Sequence, residues 1–280
     1  MHVYRCPVCG YLHVGVPDFH FCPVCSTPVE VFTRETGSAH FANWTTNTRL
    51  MIMAMAETGR SQYDGKGTTR SFLNTDDLLF LPAQISRFPL LSDEDVASEV
   101  VLGKQAEQPI IAKIPVLNAG MSFGALSREA KMALAKASAI VGGIANTGEG
   151  GMLNEERELA DKLTLQFSTG RFGASEDRLK IADIIEVKIS QGAKPAMGGL
   201  LPGEKVTQEI ADIRQIPVGK AAKSPARHKD IDSPKALAEK IAWLRRITGG
   251  KPISLKFVGG HIQQDLDAIF SQEHIPDILV

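Results

Sequence analysis

All four cysteines of this 280-residue chain fall within its first 25 positions, as Cys6-x2-Cys9 and Cys22-x2-Cys25 with twelve residues between the pairs. Two such knuckles put tetrahedral four-sulfur coordination within reach, a geometry that suits zinc or a single iron. The competing reading, a pair of disulfides, belongs to small secreted domains. No basic segment followed by an apolar core opens this chain, and beyond Cys25 it contains no cysteine, so the four thiols read as metal ligands. A domain of about thirty residues buries too little apolar surface to fold unaided, so a metal staple is needed whichever ion fills it.

Composition narrows the function classes. With 31 Lys+Arg against 32 Asp+Glu the formal net charge is −1, which lacks the electrostatic footprint of a nucleic-acid binder. No apolar run approaches the roughly 18–20 residues that span a bilayer; the run at 50–56 is short and flows into Glu57. Neither nucleic acid nor membrane is therefore expected as a partner, and a cytoplasmic location is the default.

Three regions follow from patterning: a metal-binding domain at 1–32, a linker and irregular segment at 33–108, and a regular α/β region at 109–280. Residues 33–43 are polar and carry no period. Residues 44–108 have scattered apolar clusters punctuated by Gly59, Gly65, Gly67, Pro82 and Pro89, with one or two short helices, foremost at 93–102. From 109 onward, strand-like runs at 110–117, 184–189, 253–258 and 277–280 alternate with helical spacing. One helix starts at an N-capping Ser127, places Ala130, Ala133, Leu134, Ala137, Ile140 and Val141 on its apolar side and stops at Gly142-Gly143. A short one marked by Val206, Ile210 and Ile213 ends before Pro217. Another starts at Ser233-Pro234, shows Leu237, Ile241 and Leu244, and stops at Gly249-Gly250. Alternation of this kind implies a parallel sheet, whose commonest closed form is the (β/α)8 barrel. The region is shorter than the about 200 residues such a barrel takes at minimum, and the sequence ends inside a strand-like run. A partial barrel, the N-terminal part of a longer protein, is therefore expected; a smaller open α/β sheet is the alternative.

In a barrel the chemistry sits where strands hand over to helices. The first such stretch is Met121-Ser122-Phe123-Gly124. The second, Asn146-Thr147-Gly148-Glu149-Gly150-Gly151, has glycines that let backbone approach a flat ligand. The third runs through Gln191, Lys194 and Pro195 to Gly199. None is a Walker or dinucleotide fingerprint, and by composition each also reads as a tight turn. Lys194 is suited to anchoring a carboxylate as a point charge, and Lys256, at a strand end, reads as active-site material.

Taken together these segments resemble known families. YRCPVCGYLHVG and FCPVC resemble the rubredoxin-like domain that closes rubrerythrins, with Gly10, Tyr11 and Phe21 matching its glycine and shielding aromatics. That resemblance implies iron; Ser26, where a glycine is usual, departs from it and keeps a structural zinc ribbon as the alternative. MSFGALSREA, NTGEGG, VKISQGAKP, LPGEKV, SPARHKDIDS and SLKFVGG, in that order, resemble the flavin-binding synthase domain of glutamate synthases over about 44–280. Joined to the knuckle, they are similar to the stand-alone, archaeal-type members. The resemblance implies an FMN-binding barrel that reduces the imine of 2-oxoglutarate and ammonia. A distal phosphate-binding half and a 3Fe-4S cluster are expected only beyond Val280.

Carried over by position, Met121, Ser122 and Asn146 line the flavin, and Lys256 lies by its N1/O2 edge. Gln191, Lys194, Arg214 and Ser233 hold the dicarboxylate, with Lys188 near the same pocket, and Glu149 lies beside the reacting carbon. Glu149 and Lys194 are the catalytic pair. Two departures bear on the substrate: Ala196-Met197-Gly198-Gly199-Leu200 replaces a Gly-Glu-Gly-Gly-Gln loop, and His228-Lys229 replaces a His-His pair. Related amine chemistry, such as N-methylglutamate formation, is therefore an alternative, as is a non-catalytic electron-transfer or metal-binding module. The chain begins Met1-His2-Val3 rather than with a cysteine nucleophile. Ammonia is then expected free or from a separate glutaminase subunit, with ferredoxin or a reductase as electron donor.

Overall fold

A computed structural model describes residues 3–14, 17–34, 46–60, 74–192 and 198–280. The chain divides into two compact units, residues 1–63 and 64–280. In the first, β1 (Val3–Arg5), β2 (Leu12–Val14) and β3 (Thr33–Arg34) form an antiparallel sheet in the order β2-β1-β3. Helix α1 (Thr46–Thr58) covers the apolar run at 50–56, and Leu50 and Met53 remain exposed on it. Of the expected linker, residues 33–34 belong to β3 and 35–43 lie outside the described residues.

The second unit opens differently from expectation. Residues 93–102 do not form a helix: the chain is irregular to Glu99 and then enters β4 (Val100–Leu102), which pairs antiparallel with β5 (Ile110–Ala112). The expected strand at 110–117 is therefore cut short, because Ile110 and Ala112 belong to this hairpin. The first position of the parallel sheet comes later, at the parallel bridge Leu117↔Ile144.

Regular alternation then sets in. Helix α2 (Arg128–Val141) leads to β6 (Ala145–Asn146), α3 (Asn154–Leu159), β7 (Leu163–Phe167), α4 (Glu176–Ile181) and β8 (Ile184–Lys188). A hairpin excursion follows: β9 (Leu200–Leu201), α5 (Gln208–Arg214) and β10 (Ala222–Lys223), with β9 and β10 antiparallel. Helix α6 (Pro234–Thr248), β11 (Ile253–Lys256), α7 (Ile262–Phe270) and β12 (Ile278–Leu279) complete the unit. The five-stranded sheet has the order β12-β11-β8-β7-β6, parallel throughout. Each new parallel strand adds on the same side as the last. With right-handed crossovers this keeps all the helices on one face, the winding of a (β/α) barrel rather than of a doubly wound sheet.

Strand alternation sorts the side chains. Leu163, Leu165 and Phe167 of β7, Ile185 and Val187 of β8, and Ile253 and Leu255 of β11 pack outward in one core with Leu179, Ile241, Leu244 and Ile269 of the helices. On the other face, Ile144 and Ile184 join Ile110 and Ala112 of the β4–β5 hairpin in an apolar floor. Further toward the strand C-termini the same face carries Asn146, Thr164, Gln166, Glu186, Ser254, Lys188 and Lys256.

The caps match the sequence: Ser127 accepts from Ala130 N and Gly142 closes α2 in the left-handed conformation, and Ser233 and Gly249 do the same for α6. The buried side of α2 does not. Lys131, Ala135 and Ser138 are buried, whereas Ile140 is 75% exposed. Lys131, 2% exposed, pairs with Glu156 at 2.7 Å, and its ammonium also donates to Met121 O, Thr147 O (both 2.8 Å) and Asn146 O (3.2 Å). Burial pushes Lys131 below and Glu156 above their ordinary values, and each charge opposes the other's shift. Removing one partner strands a buried charge, at a cost of about 3–5 kcal/mol. Lys131→Met is therefore expected to lower unfolding stability in urea by about 3 kcal/mol or more, and Lys131→Met/Glu156→Leu to recover part of the loss. A double variant as unstable as the sum of the single ones would show that the pair is not coupled.

Candidate metal centre and candidate active site

In the N-terminal unit both knuckles close by the same bonds. Cys6 N donates to Tyr11 O at 2.8 Å and Cys22 N to Thr27 O at 2.7 Å, while Gly10 N and Ser26 N donate back to the Cys6 and Cys22 carbonyls. Gly10 and Ser26 occupy the matching left-handed positions, φ 77° and 56°. The serine thus adopts the turn that a glycine takes without strain. The four sulfurs lie within 4.8 Å of one another, and the Cys6–Cys25 and Cys9–Cys22 separations are both 3.6 Å. A tetrahedron with metal–sulfur bonds of about 2.3 Å has edges of about 3.8 Å, so the set fits one ion.

Charge explains why an ion belongs there. Burial would raise the Cys6 thiol, yet the Cys9 and Val8 amides, Cys25 and Thr27 bring it to about 6. Cys9, despite the Tyr11 amide, is pushed up to about 12 by burial and the other three sulfurs. Ionising one sulfur thus penalises the next, and a bound cation removes that penalty. The shielding aromatics differ from expectation: Phe21 is 61% exposed, and Tyr11 instead packs edge-on with Phe19 and Phe32 at 6.1 and 6.5 Å.

In the second unit the loops at the C-terminal ends of the strands converge. Glu149, in the loop after β6, receives Lys188 Nζ on Oε2 at 2.5 Å and Ser224 Oγ on Oε1 at 2.8 Å, all buried. The β9–β10 hairpin delivers Ser224, and Ser224 N donates to Gly199 O. A Cβ on Gly199 would overlap Glu149 Oε1, so this backbone approaches the carboxylate as closely as only glycine allows. Arg214, at the end of α5, is buried and donates from Nη2 to Phe123 O at 2.7 Å and Ser122 Oγ at 3.3 Å. Its Nε is buried without a partner among the described residues. Burial pushes the guanidinium down and the charge of Glu149 opposes that shift.

Deeper on the inner face, Gln166 Nε2 and Asn146 Nδ2 both donate to Glu186 Oε1, at 2.6 and 3.4 Å. Lys256, Glu186, Asn146, Thr164 and Ser254 line a cavity of about 200 Å³ above Ile144, Ile184 and Ile278. Gly148, at φ 66°, sits against the Met121 and Ser122 backbone. The close approach made there is of one loop to the other.

The geometry therefore gathers Ser122, Glu149, Lys188 and Arg214 in one cluster and Asn146 with Lys256 on one cavity. Met121 contributes its carbonyl to Lys131. Gln191 and Ser233 line a different cavity, of about 490 Å³, between the ends of β8 and β11 and helices α6 and α7. Gln191 Oε1 is buried without a partner among the described residues, whereas Ser233 is exposed and its hydroxyl caps α6. Lys194, with Ala196 and Met197, lies outside the described residues.

With that geometry in hand, comparison with known proteins decides the family. The conserved region in glutamate synthase matches residues 47–280. The chain belongs to the glutamate synthase family. A glutamate synthase large subunit-like protein of Rhizobium meliloti (strain 1021) is 44% identical over 232 residues, covering 82% of this chain and 52% of that protein. An archaeal-type glutamate synthase [NADPH] of Thermotoga maritima is 35% identical over 266 residues, 86% of this chain and 52% of that one. An archaeal glutamate synthase [NADPH] of Methanocaldococcus jannaschii is 45% identical over 148 residues, 52% and 29%. The chain spans about half the length of the first two. Among the described residues no helix is long and apolar enough to cross a membrane.

Sequence reading passed over Ser224, Glu186 and Gln166 as working residues and noted His228 only as half of a departure from a His-His pair. His228 is 1% exposed, bonds Lys188 O through Nε2 at 2.9 Å and stacks on Phe167. Since a carbonyl accepts, Nε2 carries the proton. Burial, then Arg171, brings this imidazole down to about 4.

Two outcomes follow. Cobalt(II) titration of the protein should give one equivalent of tetrahedral thiolate site, lost in Cys22→Ser; an unchanged spectrum in that variant would contradict a four-sulfur centre. His228 has a folded pKa below its ordinary 6.5, so its stability contribution is intact above about pH 6.5 and is lost as pH falls toward 4. The loss is on the order of 1 kcal/mol per pH unit. Thermal unfolding of His228→Gln across pH 4–8 should show a shallower acid decline than wild type, and parallel curves would remove the imidazole as its cause.

Proposed function

We propose that the complete protein is a glutamate synthase-type flavoprotein that reduces 2-iminoglutarate, formed from 2-oxoglutarate and ammonia, to glutamate. The observation that carries this reading is the pairing of a buried Glu149–Lys188–Ser224 cluster with a neighbouring cavity lined by Lys256, in a chain of this family. The cavity, of about 200 Å³, suits one edge of a flavin ring on its own terms. Lys256 has no hydrogen-bond or ion-pair partner among the described residues, and Ser254 Oγ is buried with none. A buried hydroxyl left so is costly unless a ligand meets it, and the half-buried Lys256 ammonium is free to join it. Asn146, Ser122 and the Met121 backbone would hold the ring, and Lys256 would set a fixed cation by its N1/O2 edge.

When bound, FMN supplies hydride to the imine carbon. Everything else falls to the chain's own residues. Lys194 would hold a substrate carboxylate as a point charge, and Arg214 offers its unpartnered Nε to a carboxylate. Glu149, fixed from both sides by Lys188 and Ser224, accepts a proton from the incoming ammonium and returns one to the imine nitrogen as hydride arrives at carbon. Water leaves in imine formation. Holding the imine in this orientation supplies most of the acceleration.

The four-cysteine centre we assign to iron, as the knuckle's likeness to rubredoxin-like domains supports, which makes it a one-electron carrier toward the flavin. NADPH appears in the names of several relatives, so reduced nicotinamide, through a reductase or ferredoxin, is the electron source to try first.

The test is purification of the full-length protein. It should carry a yellow flavin band beside a red cysteine–iron spectrum, and after anaerobic reduction 2-oxoglutarate with ammonium should restore the oxidised flavin and yield glutamate. Lys256→Ala should weaken FMN binding about 10- to 100-fold, the value of a charge-assisted bond. A colourless protein that refuses added FMN contradicts the proposal, and methylamine outperforming ammonium would move it to N-methylglutamate.

A further inference from the structure

The inner-face cavity holds an asymmetry that Lys256 alone does not explain. Glu186 is 4% exposed, yet only its Oε1 is engaged, by Gln166 and Asn146. Both N–H donors fall on that one oxygen. Its Oε2 has no partner among the described residues, although Glu186 lines the cavity. On the adjacent strand Ser254 stands opposite Glu186, and Lys256 opposite Lys188. Glu186 and Lys256 are thus diagonal neighbours of opposite charge on one face, a separation long side chains span readily. They form no ion pair; instead acceptor, orphan hydroxyl and ammonium face the same space of about 200 Å³.

A buried carboxyl group with one oxygen unengaged, beside an unpaired and only half-buried ammonium, is costly unless something lies between them that donates to one and accepts from the other. Water would satisfy both but needs no such order. A planar imide, with C=O beside N–H, matches the acceptor and the ammonium: the carbonyl takes the ammonium and the N–H takes the free Glu186 oxygen.

We infer that Glu186 is the acceptor for the N3–H of the flavin, held in place by Gln166 and Asn146, while Lys256 meets the adjacent C2 carbonyl. This rests on the flavin reading above and adds to it which edge enters the cavity and which residue reads it. Gln166 acts as a positioning residue, because it touches Glu186 rather than the ring.

Binding separates the two claims. The full-length protein, stripped of flavin, is titrated with FMN and with N3-methyl-FMN, following quenching of flavin fluorescence. Wild type should bind FMN about 10- to 100-fold more tightly, since methylation removes a charge-assisted bond. In Glu186→Gln the amide oxygen is taken by Gln166 and Asn146, so an N–H faces N3–H; FMN affinity should fall by a similar factor and the preference should collapse. Glu186→Ala, which leaves room for the methyl group, should bind both flavins alike. Apo-protein melting curves check that each variant folds. FMN binding without discrimination, or a preference surviving in both variants, overturns the assignment of Glu186 while leaving the flavin reading intact. Failure of wild type to bind either flavin overturns both.

Discussion

One ammonium holds the candidate active site together. Lys131 Nζ reaches Met121 O, Asn146 O and Thr147 O and also faces the Glu156 carboxylate. Lysine suits this role because its compact head directs three donors to different sides, whereas a planar guanidinium is bound to one plane. The carbonyls come from two loops on neighbouring strand positions, and the carboxylate anchors the next helix, since Glu156 Oε2 also accepts from Leu153 N. With the ammonium in place, Gly148 packs against the Met121–Ser122 backbone. That leaves Ser122 within reach of Arg214 and Glu149 within reach of Lys188 and Ser224. Take the charge away and three carbonyls and a carboxylate face one another with nothing between them.

The sheet supplies the rest by alternation. Its outward residues make a core with the helices, so its inward residues are free to change character along the strands. They run from the isoleucine floor through the Glu186 network to Lys188 and Lys256 at the C-terminal ends. A parallel, singly wound sheet places all those ends together, which is why a cationic and an anionic group from strands distant in sequence share one cavity.

Much of this was legible in the residues, for identifiable reasons. Ser127, Ser233, Pro234 and the glycines at 142 and 249 act within one helical turn, so their sequence meaning survives folding unchanged. The cysteine knuckles are equally local. Most of the misses are cases where the deciding partner lies far away in sequence; one has a local cause. Strand β7 alternates cleanly, but it lies between α3 and α4, six residues each, too short to show a helical period. Residues 93–102 have helical spacing, yet the end of that run pairs with β5. On α2 the apolar residues suggested one face and the fold buried another, because Lys131 finds four oxygens that no local pattern announces. Glu186 and Ser224 are silent in sequence for the same reason, and Ser233 shows that a residue with a clear local duty need not sit beside the residues it was grouped with.

The dependence of both loops on Lys131 is tested most directly by residue-resolved hydrogen exchange on Lys131→Met. The account predicts that amides at 120–126 and 147–151 gain about 10- to 100-fold in exchange rate beyond any change in β7 and β8, consistent with local opening. Uniform acceleration across sheet and loops, or protection of the loops at the wild-type level, would contradict it.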